Sequence, residues 1–367
     1  DLELFRGDLL AALTADGDFR VPALREHVAD LPALLAPALA VVGANALDST
    51  LLARLAALPW RGNIAELEAF VRGLSRRPSV ASAVTESELL EAIIDAPDDD
   101  ELRLVYGDLL VSRGDQRGDL IQVQCRLALP AFHGDPALRA AEKRLLDAHQ
   151  VAWAGPVATI AGTPSTKPEV TFRRGFVERI VTTDDVLARL GAVYRVAPLL
   201  STLALKGRLS REHWVDPAIR RICALEVELP SLDEPEVTAL SSHPYFDHLE
   251  ALTVSTEAEF ADNDPAIAEA HLQDLAASPH LAKLKTLRFT NHRFDARMTA
   301  VLTGDAAAWS IHHLALTACA IDDAAVTSLL DGPRASALQT LDLRGNPIGD
   351  AGRARLAARS DLVVQLD

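Results

Sequence analysis

One frame, apolar-x-x-apolar-x-apolar, returns six times in the second half of this 367-residue chain and leaves few folds open to it. It reads Leu200-x-x-Leu203-x-Leu205, then Ile222/Leu225/Val227, Leu249/Leu252/Val254, Leu284/Leu287/Phe289, Ile311/Leu314/Leu316 and Leu338/Leu341/Leu343. The first positions are 22, 27, 35, 27 and 27 residues apart. A second series keeps the same register, because Leu240, Leu275, Leu302 and Leu329 each stand nine residues before a frame and Leu356 continues the row. Apolar residues at period two make a short strand with one buried face, and the leucine on a run such as Asp323 to Leu330 makes a helix packed over it.

Each repeat is thus one strand plus one helix. About five or six buried aliphatics, at ~1.5 to 3 kcal/mol each, do not offset the ordering of about 27 residues at ~1 to 2 kcal/mol apiece. A lone repeat would not fold, and stacking is obligatory. The units resemble leucine-rich repeats, most closely in LQTLDLRGNPIGDAGRARLAAR, where Asn346 and Cys319 fall on the asparagine/cysteine position of that consensus. The fold class expected is α/β: mainly a leucine-rich-repeat solenoid of parallel strands with outer helices, preceded by an all-helical region and a β-hairpin. The longest step, 35 residues, reads as an insertion of eight residues around Phe260 to Pro265, whose Asp-Asn-Asp-Pro carries the chemistry of a loop.

The first eighty residues carry three ordered motifs. Leu4-Phe5-Arg6-Gly7-Asp8-Leu9-Leu10 opens a helix, VPALREHVADLPALL follows from Val21, and Pro59-Trp60-Arg61-Gly62-Asn63 separates two apolar-periodic helices, with Asn63 as an N-cap. Together they resemble the end of the AAA+ domain of sigma-54-dependent bacterial activators. The resemblance covers about residues 1 to 78 and implies the tail of the α/β subdomain at 1–42 and the helical lid at 43–80. It also implies a degenerate nucleotide site. Of two arginines that reach a neighbouring subunit's nucleotide in that family, Arg6 is kept and the second position is Ala12, and the arginine that senses nucleotide from the lid is Ala65. Losing an arginine finger costs on the order of 10³ to 10⁵ in rate. No G-x-x-x-x-G-K-[ST] loop occurs in the chain, so it is expected not to bind or hydrolyse ATP and to hold no cofactor.

Between these ends, Glu86 to Ile94 reads as an amphipathic helix, Asp98-Asp99-Asp100-Glu101 starts a second helix running to Ser112, and Arg113 to Asp119 reads as a turn-rich hinge before a third helix from Leu120 to Leu127. The string LLEAIIDAPDDDELRLVYGDLLVSRGDQRGDLIQVQ resembles the repeat-companion domain that precedes leucine-rich repeats in large bacterial genomes, a family with no established chemistry. It is assigned residues 85–155. A further helix occupies 137–153, and Val170 to Val181 alternates around Gly175 as a hairpin within 156–183 that caps the repeats of 184–367. The segment Asp361 to Leu366 does the same at the far end.

Composition narrows the function. A formal charge of −16 opposes phosphate backbones, so direct nucleic-acid binding is not expected and protein partners are. Cys125, Cys223 and Cys319 are too few and too scattered for a disulfide framework or a zinc site. No apolar run reaches the length of a membrane span, and nothing at the start reads as a signal peptide, which predicts a cytoplasmic protein. The chain begins at Asp1 and its one methionine is Met298, which reads as a piece of a longer protein.

No catalytic or metal constellation is evident. The run Asp95, Asp98, Asp99, Asp100, Glu101 has a proline and no glycine, unlike an EF-hand loop, and reads as helix capping. His312 and His313 diverge in the repeat frame. The candidate partner-binding residues are those between the buried apolars on the concave face, above all Arg288, Arg344, Asp342, Lys206 and His313. Arg288 and Arg344 are expected to bracket an acidic segment of a partner, with Arg173 and Arg174 of the hairpin as the next candidate surface. The alternative is a face that is only solvated. The function expected is a non-catalytic protein–protein interaction module of a sigma-54-activator-like transcriptional regulator, with repeats in place of a DNA-binding domain and a sigma factor contacted through an upstream part. The alternative is a stand-alone scaffold with an inactive AAA+ remnant.

Overall fold

In a computed structural model of the chain, the described residues are 85–163, 166–229, 234–256 and 267–367. The chain divides into two compact units, residues 1–89 and 90–367. The expectations for Arg6, Ala12, Ala65, the AAA+-like motifs and the Phe260–Pro265 loop all fall outside the described residues.

Four helices come first: α1 (Glu86–Asp95), α2 (Asp100–Ser112), α3 (Arg117–Ala128) and α4 (Pro136–Ala161). The Asp99 carboxylate accepts from the backbone of Glu101 and Leu102, so the acidic run does cap α2. The third helix begins earlier than the sequence suggests. Gly118, read as a hinge residue, lies inside α3, where a Cβ would drive into the Gly107 carbonyl of α2. Two glycines let the two helix backbones approach closely, a use of glycine that a turn reading does not anticipate.

The hairpin follows as β1 (Glu169–Arg173) and β2 (Phe176–Thr182), joined by Arg174 and Gly175. Both turn residues have positive φ, 49° and 81°, which is the twist-compatible two-residue hairpin geometry. Then come α5 (Leu190–Val196), β3 (Thr202–Lys206), β4 (Ala224–Leu229), α6 (Glu234–Ser242), β5 (Ala251–Thr256), α7 (Glu269–Ala277), β6 (Thr286–Thr290), α8 (Ala296–Thr303), β7 (His313–Thr317), α9 (Asp323–Asp331), β8 (Thr340–Asp342), α10 (Asp350–Ala357) and β9 (Val363–Gln365).

The nine strands form one sheet in sequential order, antiparallel between β1 and β2 and parallel from there on. Among the described residues this is an α/β fold with ten α-helices. All six apolar frames are buried, and the second leucine series, Leu240 to Leu356, lies buried on α6 to α10. The spacing of the frames also fixes what crosses between strands. The 22-residue step between β3 and β4 has no α-helix, only the 3₁₀ turns Arg211–His213 and Pro217–Arg221. The 35-residue step leaves the ladder intact, with Ala251 opposite Thr286 and Ser255 opposite Thr290.

Candidate functional site

Period two puts one face of each strand into the core and leaves the other open. From β4 to β8 the residues between the buried apolars are half-buried or exposed, as in the alternation along His313–Thr317. In-register pairing turns them into rows across the sheet. The central row runs Val181, Ala204, Glu226, Thr253, Arg288, Ala315, Asp342, Gln365 from β2 to β9.

The charges in and beside that row are largely satisfied within the chain. Arg179 of β2 reaches across β3 to Glu226, with Nη2 2.6 Å and Nε 3.1 Å from the carboxylate oxygens. Ala204, on the strand between them, is an open-face alanine only 5% exposed. Lys206, at the end of β3, lies 3.8 Å from Glu228 and 4.0 Å from Glu169. His313 is half-buried, with Nδ1 3.0 Å from the Thr340 hydroxyl on the next strand.

Arg344 departs from expectation. Strand β8 ends at Asp342, so Arg344 stands beyond it, and both arms of its guanidinium are held by Asp342 at 2.9 and 2.6 Å. That bond, with the nearby charge of Arg288 as a lesser cause, keeps the Asp342 carboxyl below the usual range. Of the expected pair, Arg344 therefore already has an internal partner in Asp342. Arg288 is exposed and makes no hydrogen bond or ion pair among the described residues.

The second candidate surface is also occupied. Arg174 lies 3.1 Å from Asp100 and 3.6 Å from Asp98, and Arg173 Nε is 3.9 Å from Glu178. The hairpin tip is bound by α2 and α3. The guanidinium groups of Arg103 and Arg117 lie over the Phe176 ring, 5.3 and 5.2 Å from its centre. Gln124 donates to the Phe172 carbonyl and accepts from the Gly175 amide at 2.7 Å. Gly175 has φ +81° and no room for a Cβ against Ile121. Arg103, 1% exposed, pairs with Glu178 at 2.9 Å and donates to the Pro97 carbonyl at 2.7 Å. Repeat spacing carries no signal for any of these contacts.

The asparagine/cysteine series extends one period further back than Cys319. Stepping back 27 residues from Asn346 gives Cys319, and again gives His292. The Asn346 amide donates to Leu316 and Leu343 carbonyls at 2.6 and 2.7 Å and its oxygen accepts from Cys319 and Ile321 amides. Cys319 points its thiol at the Phe289 and Thr317 carbonyls, and burial pushes that thiol up to about 12. His292 is buried beside Phe289 and Phe294; its Nδ1 is 3.5 Å from the Thr256 hydroxyl, its Nε2 has no hydrogen bond, and burial lowers its pKa to about 4.

The rings of His312 and His313 stand edge to face, 6.4 Å apart. Among the described residues no three His, Cys, Asp or Glu side chains gather as a metal site, and no helix is long and apolar enough to cross a membrane. Comparison with known proteins adds little. No family model matches the chain, and no curated protein does. Among solved structures, a protein from Bacteroides fragilis determined as a structural-genomics target matches at 17% identity and a TM-score of 0.35, over 48% of this chain and 49% of that one. The overlap thus spans about half of either protein.

Proposed function

We propose that the chain is a non-catalytic protein–protein interaction module, a leucine-rich-repeat solenoid whose open sheet face is the binding surface. The observation that carries this reading is the central row, where one side chain from each consecutive strand, in register with the next, is presented by a sheet anchored on its other face by buried leucines. The side chain of Asn346 supports the repeat reading, since it holds two successive turns by the same four backbone groups. The AAA+-like motifs of residues 1–78 and the companion-like string support placement in a bacterial sigma-54-activator-like regulator in the cytoplasm, with the repeats standing where such regulators carry a DNA-binding domain.

Two measurements test the proposal. Calorimetric titration with ATP should show no binding; micromolar affinity overturns the non-catalytic reading. Affinity capture with the parent chain and with an Ala315→Trp variant, which fills the open face, should differ by one set of proteins. Identical capture by both overturns the surface assignment.

A further inference from the structure

From its place in the central row we infer that Arg288 is the recognition centre of the open face, and that it takes a solitary side-chain carboxylate from a partner protein. The inference rests on the reading of that face as an interaction surface and adds the chemistry of what binds there.

Charge complementarity carries it. Counted along the row, Arg288 has Glu226 two strands to one side and Asp342 two strands to the other, each roughly 10 Å away at a strand spacing of about 4.8 Å. Both carboxylates have already taken a different arginine in a two-armed grip, Arg179 and Arg344 respectively. Arg288 is thus left without a hydrogen bond or ion pair among the described residues, between two carboxylates already held by other arginines, its charge felt at a distance by Asp342. A planar guanidinium with free donors binds a carboxylate through two parallel hydrogen bonds, the strongest polar contact such a face offers.

The surroundings set the kind of acid. Thr253 and Ala315 flank Arg288 in its row, and Thr286 and Thr290 flank it along β6. None is longer than threonine, so a partner's backbone can approach the sheet closely enough for a short Asp or Glu side chain to reach. A run of acids is disfavoured, because the whole chain carries a formal charge of −16. The partner segment therefore presents one carboxylate among small neutral residues.

A display library of random linear peptides, selected on the full chain and counter-selected on the Ala315→Trp variant, provides the probe. The enriched peptides should share one Asp or Glu in a neutral context, and their affinity should fall about tenfold or more with Arg288→Ala, the loss of one charge-assisted bidentate contact. Binding that survives Arg288→Ala but is lost with Ala315→Trp overturns carboxylate recognition and leaves the face as an interface. Binding indifferent to both substitutions, or no enrichment over the counter-selection, overturns this inference and the surface assignment together. Arg288 is exposed and unpaired, so Arg288→Ala is expected to fold as the parent does; matching thermal unfolding curves confirm that the binding loss is local.

Discussion

The two ends of the sheet are held by different means. From β6 onward the same jobs recur at 27-residue intervals. Asp295 and Asp322 cap α8 and α9 through their side chains, Asn346 and Cys319 hold the turns after β8 and β7, and Leu302, Leu329 and Leu356 fill the core. From β1 to β4 almost nothing recurs: α2 and α3 bind the hairpin tip through Arg103, Arg117 and Gln124, Asp184 accepts from the Ser210 amide, and Arg179 spans three strands to Glu226. A periodic sequence stabilises its units by repetition; where the period slips to 22 residues, single contacts between distant residues take over.

The sharpest way to break that comparison is to remove Arg103. Replaced by methionine it leaves Glu178, whose side chain is 13% exposed, with only Arg173 at 3.9 Å. Losing one partner of a buried ion pair costs about 3 to 5 kcal/mol, read as a lower midpoint in denaturant unfolding. A loss below about 1 kcal/mol would mean that the hairpin is held by packing alone.

Acid should act on the periodic end. His292 is neutral when buried, with a folded pKa of about 4 against an unfolded value near 6.5. Its contribution is therefore intact above about pH 6.5 and declines as pH falls toward 4, where the unfolded chain binds a proton that the folded chain refuses. The total is on the order of 3 kcal/mol. Urea unfolding at pH 7 and pH 4.5 should show the loss, and His292→Asn should flatten it; an equal pH slope in the variant would assign the effect elsewhere.

Within the periodic end the two occupied turn positions should rank by chemistry. Asn346→Ala strands two amides and two carbonyls and is expected to cost about 2 to 3 kcal/mol, whereas Cys319→Ala, which removes weak thiol donors, costs about 1 kcal/mol. Equal losses in denaturant unfolding would show that the amide network contributes no more than volume. Asp322→Ala, the loss of an N-cap, should cost a comparable amount of about 1 kcal/mol, read as a modest drop in the melting temperature.

Much of this was open to reading because it is periodic. The six frames and the leucine series located strands and covering helices, and the alternation put Arg288 on the open face. The hairpin followed from alternation around Gly175. The start of α3 did not, because a Gly118 pressed against Gly107 looks in sequence like any helix breaker. Nor did the occupancy of Arg344 by Asp342, since a pair two residues apart on one strand end reads as two free charges until the strand is seen to stop between them. His292 was within reach: it stands one period before Cys319, and only its being neither Asn nor Cys hid it.

Several of the polar bonds in the last units cross from one unit to the next. Thr299 and Thr303 on α8 donate to the carbonyls of Ala325 and Leu329 on α9, and Asp323 at the start of α9 accepts from the Gly349 and Gly352 amides at the start of α10, which has no side-chain cap of its own. Opening α10 alone would strand a carboxylate belonging to its neighbour. Local fluctuations are thereby tied together, and slow amide exchange should spread over α8, α9 and α10 as one cooperative block rather than grade off helix by helix.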